Sequence, residues 1–248
     1  MPRPALQHAL RCLVLTAVLG AATAPADDSV AAGVDPDAIL AAALTAFEED
    51  YRERWSYDES LINDGKTFVG HYDPRQPLDD RWHLISIDGQ TPTEDASEDY
   101  LDEKREREMT QRETDSNRRD PGAMVTKGTL SLLAETAQHW QFGFTPAGRG
   151  RDEKIMRKLK GEMRIMKSPL RIQYIRTYSE SPFKPQFGVK VNTFKMHFEF
   201  ARVDGGPVLP ASFDFTIDLK AIGIISVDQT VSATYSDYRE VARPPGSP

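Results

Sequence analysis

The chain has 248 residues, with 38 acidic against 31 basic side chains and a formal charge of −7, and so lacks the basic surface that nucleic acid requires of a partner. Its one cysteine, Cys12, excludes an intrachain disulfide and a multi-cysteine metal site. The length suits one domain with a substantial core.

Arg3 and Arg11 open a short basic region, the apolar run Cys12 to Leu19 follows, and small residues lead to Ala24-Pro25-Ala26. That order predicts a signal peptide over 1–26, cleaved after Ala26, and hence a periplasmic protein. The apolar run is too short to span a bilayer, and no later stretch of the chain is long and apolar enough to do so. Losing Arg3 and Arg11 leaves the mature chain two charges more negative and without cysteine. Residues 27–34 read as a disordered leader and 244–248 as a disordered tail.

Asp35-Pro36-Asp37 marks a helix start: Asp35 caps, Pro36 suits the first turn and Asp37 complements the positive helix end. Leu40, Leu44, Phe47 and Tyr51 then form one apolar stripe, which predicts a docked helix running to about Arg54. Strands are expected around Tyr57 to Ile62, Phe68 to Tyr72 and Trp82 to Ile87, the last ending in the turn Asp88-Gly89. Thr91-Pro92-Thr93-Glu94 has the form of a capping box. Residues 94–120 hold eleven acids against six bases and few apolar residues, Tyr100, Leu101 and Met109 among them. They are expected to form a solvated, charged helix and loop insertion whose removal leaves the fold intact.

Period-two alternation dominates the rest and places each apolar set on one sheet face. It occurs at Trp140, Phe142 and Phe144, at Leu159, Gly161, Met163 and Ile165, and at Leu170, Ile172 and Tyr174. Residues 181–185, with two prolines, read as a loop. Phe194, Met196, Phe198 and Phe200 alternate next, then Phe213, Phe215, Ile217 and Leu219 after the turn Asp204-Gly205-Gly206-Pro207, and finally Val227 to Tyr235. A looser turn at Ala221-Ile222-Gly223 joins the last two strands. Short turns between consecutive strands predict an α+β fold: a curved, unclosed antiparallel sheet, a half-barrel of about 8–11 strands, wrapping the N-terminal helix and a second helix. Arg157, Lys158, Lys160, Arg164, Lys167, Arg171 and Arg176 read as a solvated outer face, or alternatively as a patch for lipid headgroups or an acidic partner.

Chemistry-bearing motifs are missing. His71, His83, His139 and His197 fall in separate elements without metal-ligand spacing, and there is no Gly-x-Ser-x-Gly, Ser-x-x-Lys or phosphate-binding glycine loop. The expectation is a non-enzymatic protein without metal or cofactor.

The amphipathic helix, the run of antiparallel strands, the helix after Asp88-Gly89 and the signal peptide together resemble the LolA-like superfamily of exported lipoprotein carriers and receptors. The stretch from Arg81 to Thr93 also resembles that of exported proteobacterial proteins without an established activity. The resemblance implies one LolA-like domain over 35–243 whose concave sheet face shelters acyl chains. On that reading Trp140, Phe142, Phe194, Met196, Phe198, Phe200, Phe213, Phe215 and Ile217 bind an acyl chain or another apolar ligand, with the helix at 36–54 as part of a lid. The alternative is an envelope sensor or interaction protein with a filled core and a protein partner.

Overall fold

The computed structural model describes residues 35–48, 50–113, 121–148, 153–221 and 225–241. The expected signal peptide, leader and tail, the 114–120 part of the insertion and the turn at Ile222-Gly223 lie outside them. The fold is α+β, one curved and unclosed antiparallel sheet of eleven strands with a few helices, as the alternation predicts. Strands β1 (Trp55–Asn63), β2 (Lys66–Tyr72) and β3 (Trp82–Ile87) precede β4 (Ser131–Glu135) and β5 (His139–Phe144). β6 (Lys160–Lys167), β7 (Leu170–Tyr178), β8 (Phe183–Gln186), β9 (Val189–Arg202), β10 (Val208–Ala221) and β11 (Ile225–Glu240) complete it. The order across the sheet is β3-β2-β1-β11-β10-β9-β7-β6-β5-β4, with β8 paired to β9 off this path. The first and last strands therefore meet in mid-sheet, and β3 and β4 form its edges. The proline-bearing 181–185 segment is thus partly a strand, not wholly a loop, and it takes a short side pairing where a missing N–H is tolerated.

Register shows why the apolar sets add up to a single face. Phe142 lies opposite Met163, Met163 opposite Ile175, Ile175 opposite Phe198 and Phe198 opposite Phe213. Phe213 faces Ala233, Ala233 faces Leu61 and Leu61 faces Phe68. One expected alternation fails. β7 carries an irregularity, with Arg164 opposite Tyr174 but Ile165 opposite Ile172, so Gln173 is the extra residue. Tyr174 consequently turns outward, 5.4 Å from the His197 ring, and Ile175 takes the inward place.

Helix α1 (Pro36–Leu44) is capped as expected, Asp35 Oδ1 accepting from the N–H groups of Asp37 (3.1 Å) and Ala38 (3.2 Å). It does not continue to Arg54. The chain leaves the helix so that Ala46 C=O accepts from Val208 N–H at 2.8 Å, and the Phe47 ring meets Phe200 edge-on at 5.0 Å. Sheet packing of that ring outweighs two further turns of helix, and α2 (Tyr51–Arg54) is a separate single turn. Leu40 and Ala43 of α1 are buried in one cluster with Phe142, Met163, Ile165, Ile172, Ile175 and Phe200.

Helix α3 (Glu94–Glu113) starts at the last residue of the expected box, two residues later than Pro92, with Thr93 in place of Thr91 as the cap: its Oγ1 accepts from Ala96 N–H at 3.3 Å. It is not a solvated arm. Tyr100, Lys104 and Glu108 are buried and Leu101 is partly so, covering Tyr57, Tyr72, Trp82 and Leu84 on the β1–β3 wing. The helix approaches closely because Gly70 has no side chain: a Cβ there would stand 2.2 Å from Tyr100 Oη. A short helix, α4 (Glu153–Met156), precedes β6.

Deleting 97–118 is therefore expected to lower the melting temperature sharply and expose the tyrosine wing to apolar dyes, contrary to the expectation from composition. Gly70→Ala should lift α3 and cost about 1–3 kcal/mol in urea unfolding, the usual range for overpacking.

Candidate functional site

The concave face falls into three zones. At the α1 end its apolar residues are core: Phe142 is 0% and Phe200 8% exposed, with Trp140 and Phe198 packed against the same cluster. The Trp140 indole N–H donates to Glu135 Oε1 at 3.0 Å, and Lys167 Nζ lies 4.6 Å from its ring centroid, which holds it at the sheet's far wing. The structure thus brings Trp140, Phe142, Phe198 and Phe200 together in one packed cluster, while Phe194 and Ile217 belong to another.

The middle zone is a half-open row. Phe194, Met196, Phe198, Phe213, Phe215 and Ile217 are all partly exposed. Met196 lies opposite Phe215, and Phe194 opposite Ile217. The rings run on from Phe200 to Phe198 (6.4 Å), Phe213 (4.7 Å), Phe215 (6.4 Å) and Phe194 (5.7 Å), a continuous aromatic path across β9 and β10. At the end of the row Phe194 and Ile217 pack against Val189, Val191, Leu219 and Ala221, with Phe183 of β8 alongside.

The third zone, beneath α3, is aromatic and charged at once. Around Tyr57 stand the rings of Tyr72 (5.0 Å), Tyr238 (5.3 Å), Trp82 and Tyr235 (both 5.8 Å) and Tyr51 (6.0 Å). Burial pushes the hydroxyls of Tyr57, Tyr72, Tyr100, Tyr235 and Tyr238 up from the ordinary tyrosine value. Lys104 reaches in from α3 to an ion pair with Glu59 of β1. Burial pulls its ammonium down despite the opposing pull of Glu59. The Trp82 indole N–H donates to Glu108 Oε1 at 3.1 Å, and Arg81 grips Glu53 through two hydrogen bonds of 3.0 and 3.1 Å. The sequence offered several of these residues as strand or helix positions but none as part of a site. The available signal was the helical spacing of Tyr100, Leu101, Lys104 and Glu108, in which two charges conceal a stripe.

On the convex face Arg164 and Arg176 are engaged rather than free-standing. Glu162 accepts from Gln141 Nε2 at 3.0 Å, from Arg176 Nε at 3.2 Å and from the Tyr178 hydroxyl. Burial opposes its ionisation, but the hydrogen bonds from Tyr178 and Arg176 outweigh it and hold the carboxyl below the usual carboxylate range. The same hydrogen bond, with burial, pushes Tyr178 up to about 12. Arg164 lies 5.0 Å from the Tyr174 ring centroid. His71 Nδ1 lies 2.6 Å from Asp58 Oδ1, with His83 opposite on β3. Among the described residues no group of three or more histidine, cysteine or acidic side chains is placed to hold a metal ion, and no helix is long and apolar enough to cross a membrane.

Because the Glu162 carboxyl titrates below its unfolded value, its stabilisation is present above about pH 4.3 and lost as pH falls through the lower folded value. Glu162→Gln is expected to cost about 1–3 kcal/mol at neutral pH. In urea unfolding the gap from the parent should narrow as pH falls below the ordinary carboxylate range and the Glu162 carboxyl takes up its proton.

Comparison with known protein families, curated proteins and solved structures gives no match to this chain.

Proposed function

We propose that the chain is an exported, non-enzymatic binding or carrier protein of LolA-like type, holding an acyl chain or another apolar ligand on the half-open phenylalanine row. The observation that carries this reading is the contrast along one sheet face: α1 and α3 cover its wings, while six large apolar side chains between them stay partly exposed. A ligand laid across β9 and β10 would gain roughly 25 cal/mol for each Å² of apolar surface it removes from water. Phe194, Met196, Phe198, Phe213, Phe215 and Ile217 are the binding residues on this reading. Phe142, Phe200 and Trp140 act as the wall against which the row is built. Periplasmic location follows from the signal-like order of residues 1–26.

The second reading, an envelope sensor with a filled core, has one observation in its favour: α1 leaves Phe142 and Phe200 no room for a ligand. Two alanine variants separate the readings when urea unfolding is measured alongside uptake of the neutral fluorophore diphenylhexatriene. Phe142→Ala should lose the ~3–5 kcal/mol of a fully packed phenylalanine and keep uptake, once corrected for the folded fraction. Phe215→Ala should lose less than about half of that and weaken uptake. Failure of the parent protein to take up the fluorophore would rule out the carrier reading.

A further inference from the structure

We infer that the aromatic pocket beneath α3 is a cation subsite, so that the ligand of the phenylalanine row is an amphiphile with an ammonium headgroup. This rests on the binding function proposed above and names the class of ligand. The subsite is filled by the chain's own lysine. Lys104 Nζ lies 3.9 Å from the centroid of the Trp82 ring and 5.1 Å from that of Tyr100, and pairs with the Glu59 carboxylate. Lys104 and Glu59 are each only 6% exposed. Two aromatic faces and a buried carboxylate around one nitrogen are the groups by which proteins recognise alkylammonium ions, because the rings present their negative faces to the charge. The indole is held in place by its hydrogen bond to Glu108.

Position links this pocket to the apolar row. Glu59 lies opposite Tyr235, Leu61 opposite Ala233, and Ala233 opposite Phe213. Two strand spacings and one two-residue step separate Glu59 from Phe213, about 12 Å along the sheet. That separation is within the reach of the alkyl chain of an ammonium held at Glu59, and Phe213 opens onto Phe198 and Phe215. The remaining nearby charges are Arg52 and Arg107, the latter paired with Glu103 on α3. When Lys104 swings out along its flexible stem, the Glu59 carboxylate is left without its ammonium, and an incoming ammonium restores the balance. A trimethylated nitrogen suits such a site better than lysine, since it is more weakly hydrated and gives up less water on burial.

The test uses the full chain and three single-chain probes below their micelle-forming concentrations: dodecyltrimethylammonium, dodecanol and laurate, each competing with diphenylhexatriene. The ammonium probe should compete about tenfold or more better than dodecanol, with laurate the weakest. Acylation of Lys104 by an amine reagent, read by mass spectrometry, should rise when the ammonium probe is bound and not with dodecanol. The double variant Glu59→Gln/Lys104→Met keeps a neutral pair under the helix; it should retain dodecanol binding and lose the ammonium preference. Equal competition by all three probes, a preference that survives in the double variant, or unchanged labelling of Lys104 would overturn the cation subsite. Those results leave the apolar row standing, whereas failure of every probe and of the fluorophore itself defeats both readings.

Discussion

An apolar face running across every strand of a wide sheet cannot be left in water, and most of this fold follows from the way that face is covered. Register carries the face from Phe142 through Met163, Ile175, Phe198, Phe213 and Ala233 to Leu61 and Phe68 without a break. Curvature alone cannot bury it, because the sheet does not close and β3 and β4 remain its edges. Helices laid on the wings supply the cover, and the strip they do not reach stays half-open, which is the ground for the proposed ligand site.

The two covers work by different chemistry. α1 is a conventional apolar lid, with Leu40, Ala43 and the trailing Phe47 set into the β5–β9 wing. α3 is mostly polar and holds on through a few anchors, among them a buried lysine. A buried ion pair such as Lys104 with Glu59 adds little net stability, since desolvating both charges offsets most of their attraction. Its effect is positional: breaking either half leaves a lone charge among aromatic rings, so α3 is fixed at one register on the sheet. On the cation-subsite proposal, the same arrangement would make the pair exchangeable for a ligand of like charge, which an apolar anchor would not be.

Strand positions were largely legible in the sequence because side-chain alternation is a local property of extended backbone. The Phe194 to Phe200 and Phe213 to Leu219 sets show it. So was the start of α1, where Asp35, Pro36 and Asp37 act within one turn. Less legible were features set by a distant partner. Gln173 is an extra residue only relative to β6, Tyr174 turns outward as a result, and Phe47 leaves its helix to meet Phe200. The α3 stripe was misread because Lys104 and Glu108 count as solvent-facing until Glu59 and Trp82 are brought to them.

Composition and periodicity by themselves determined the class of fold, the antiparallel sheet and most of the residues sharing one face of it, with Tyr174 and Ile175 the exception. Only the tertiary structure decided that Phe142 and Phe200 are core while Phe213 and Phe215 stay half-open, although all four carry the same pattern. Alternation fixes the side of a sheet on which a residue stands. Its covering depends on segments far along the chain, as when Lys104 meets Glu59 across 45 residues, and no local spacing records that meeting.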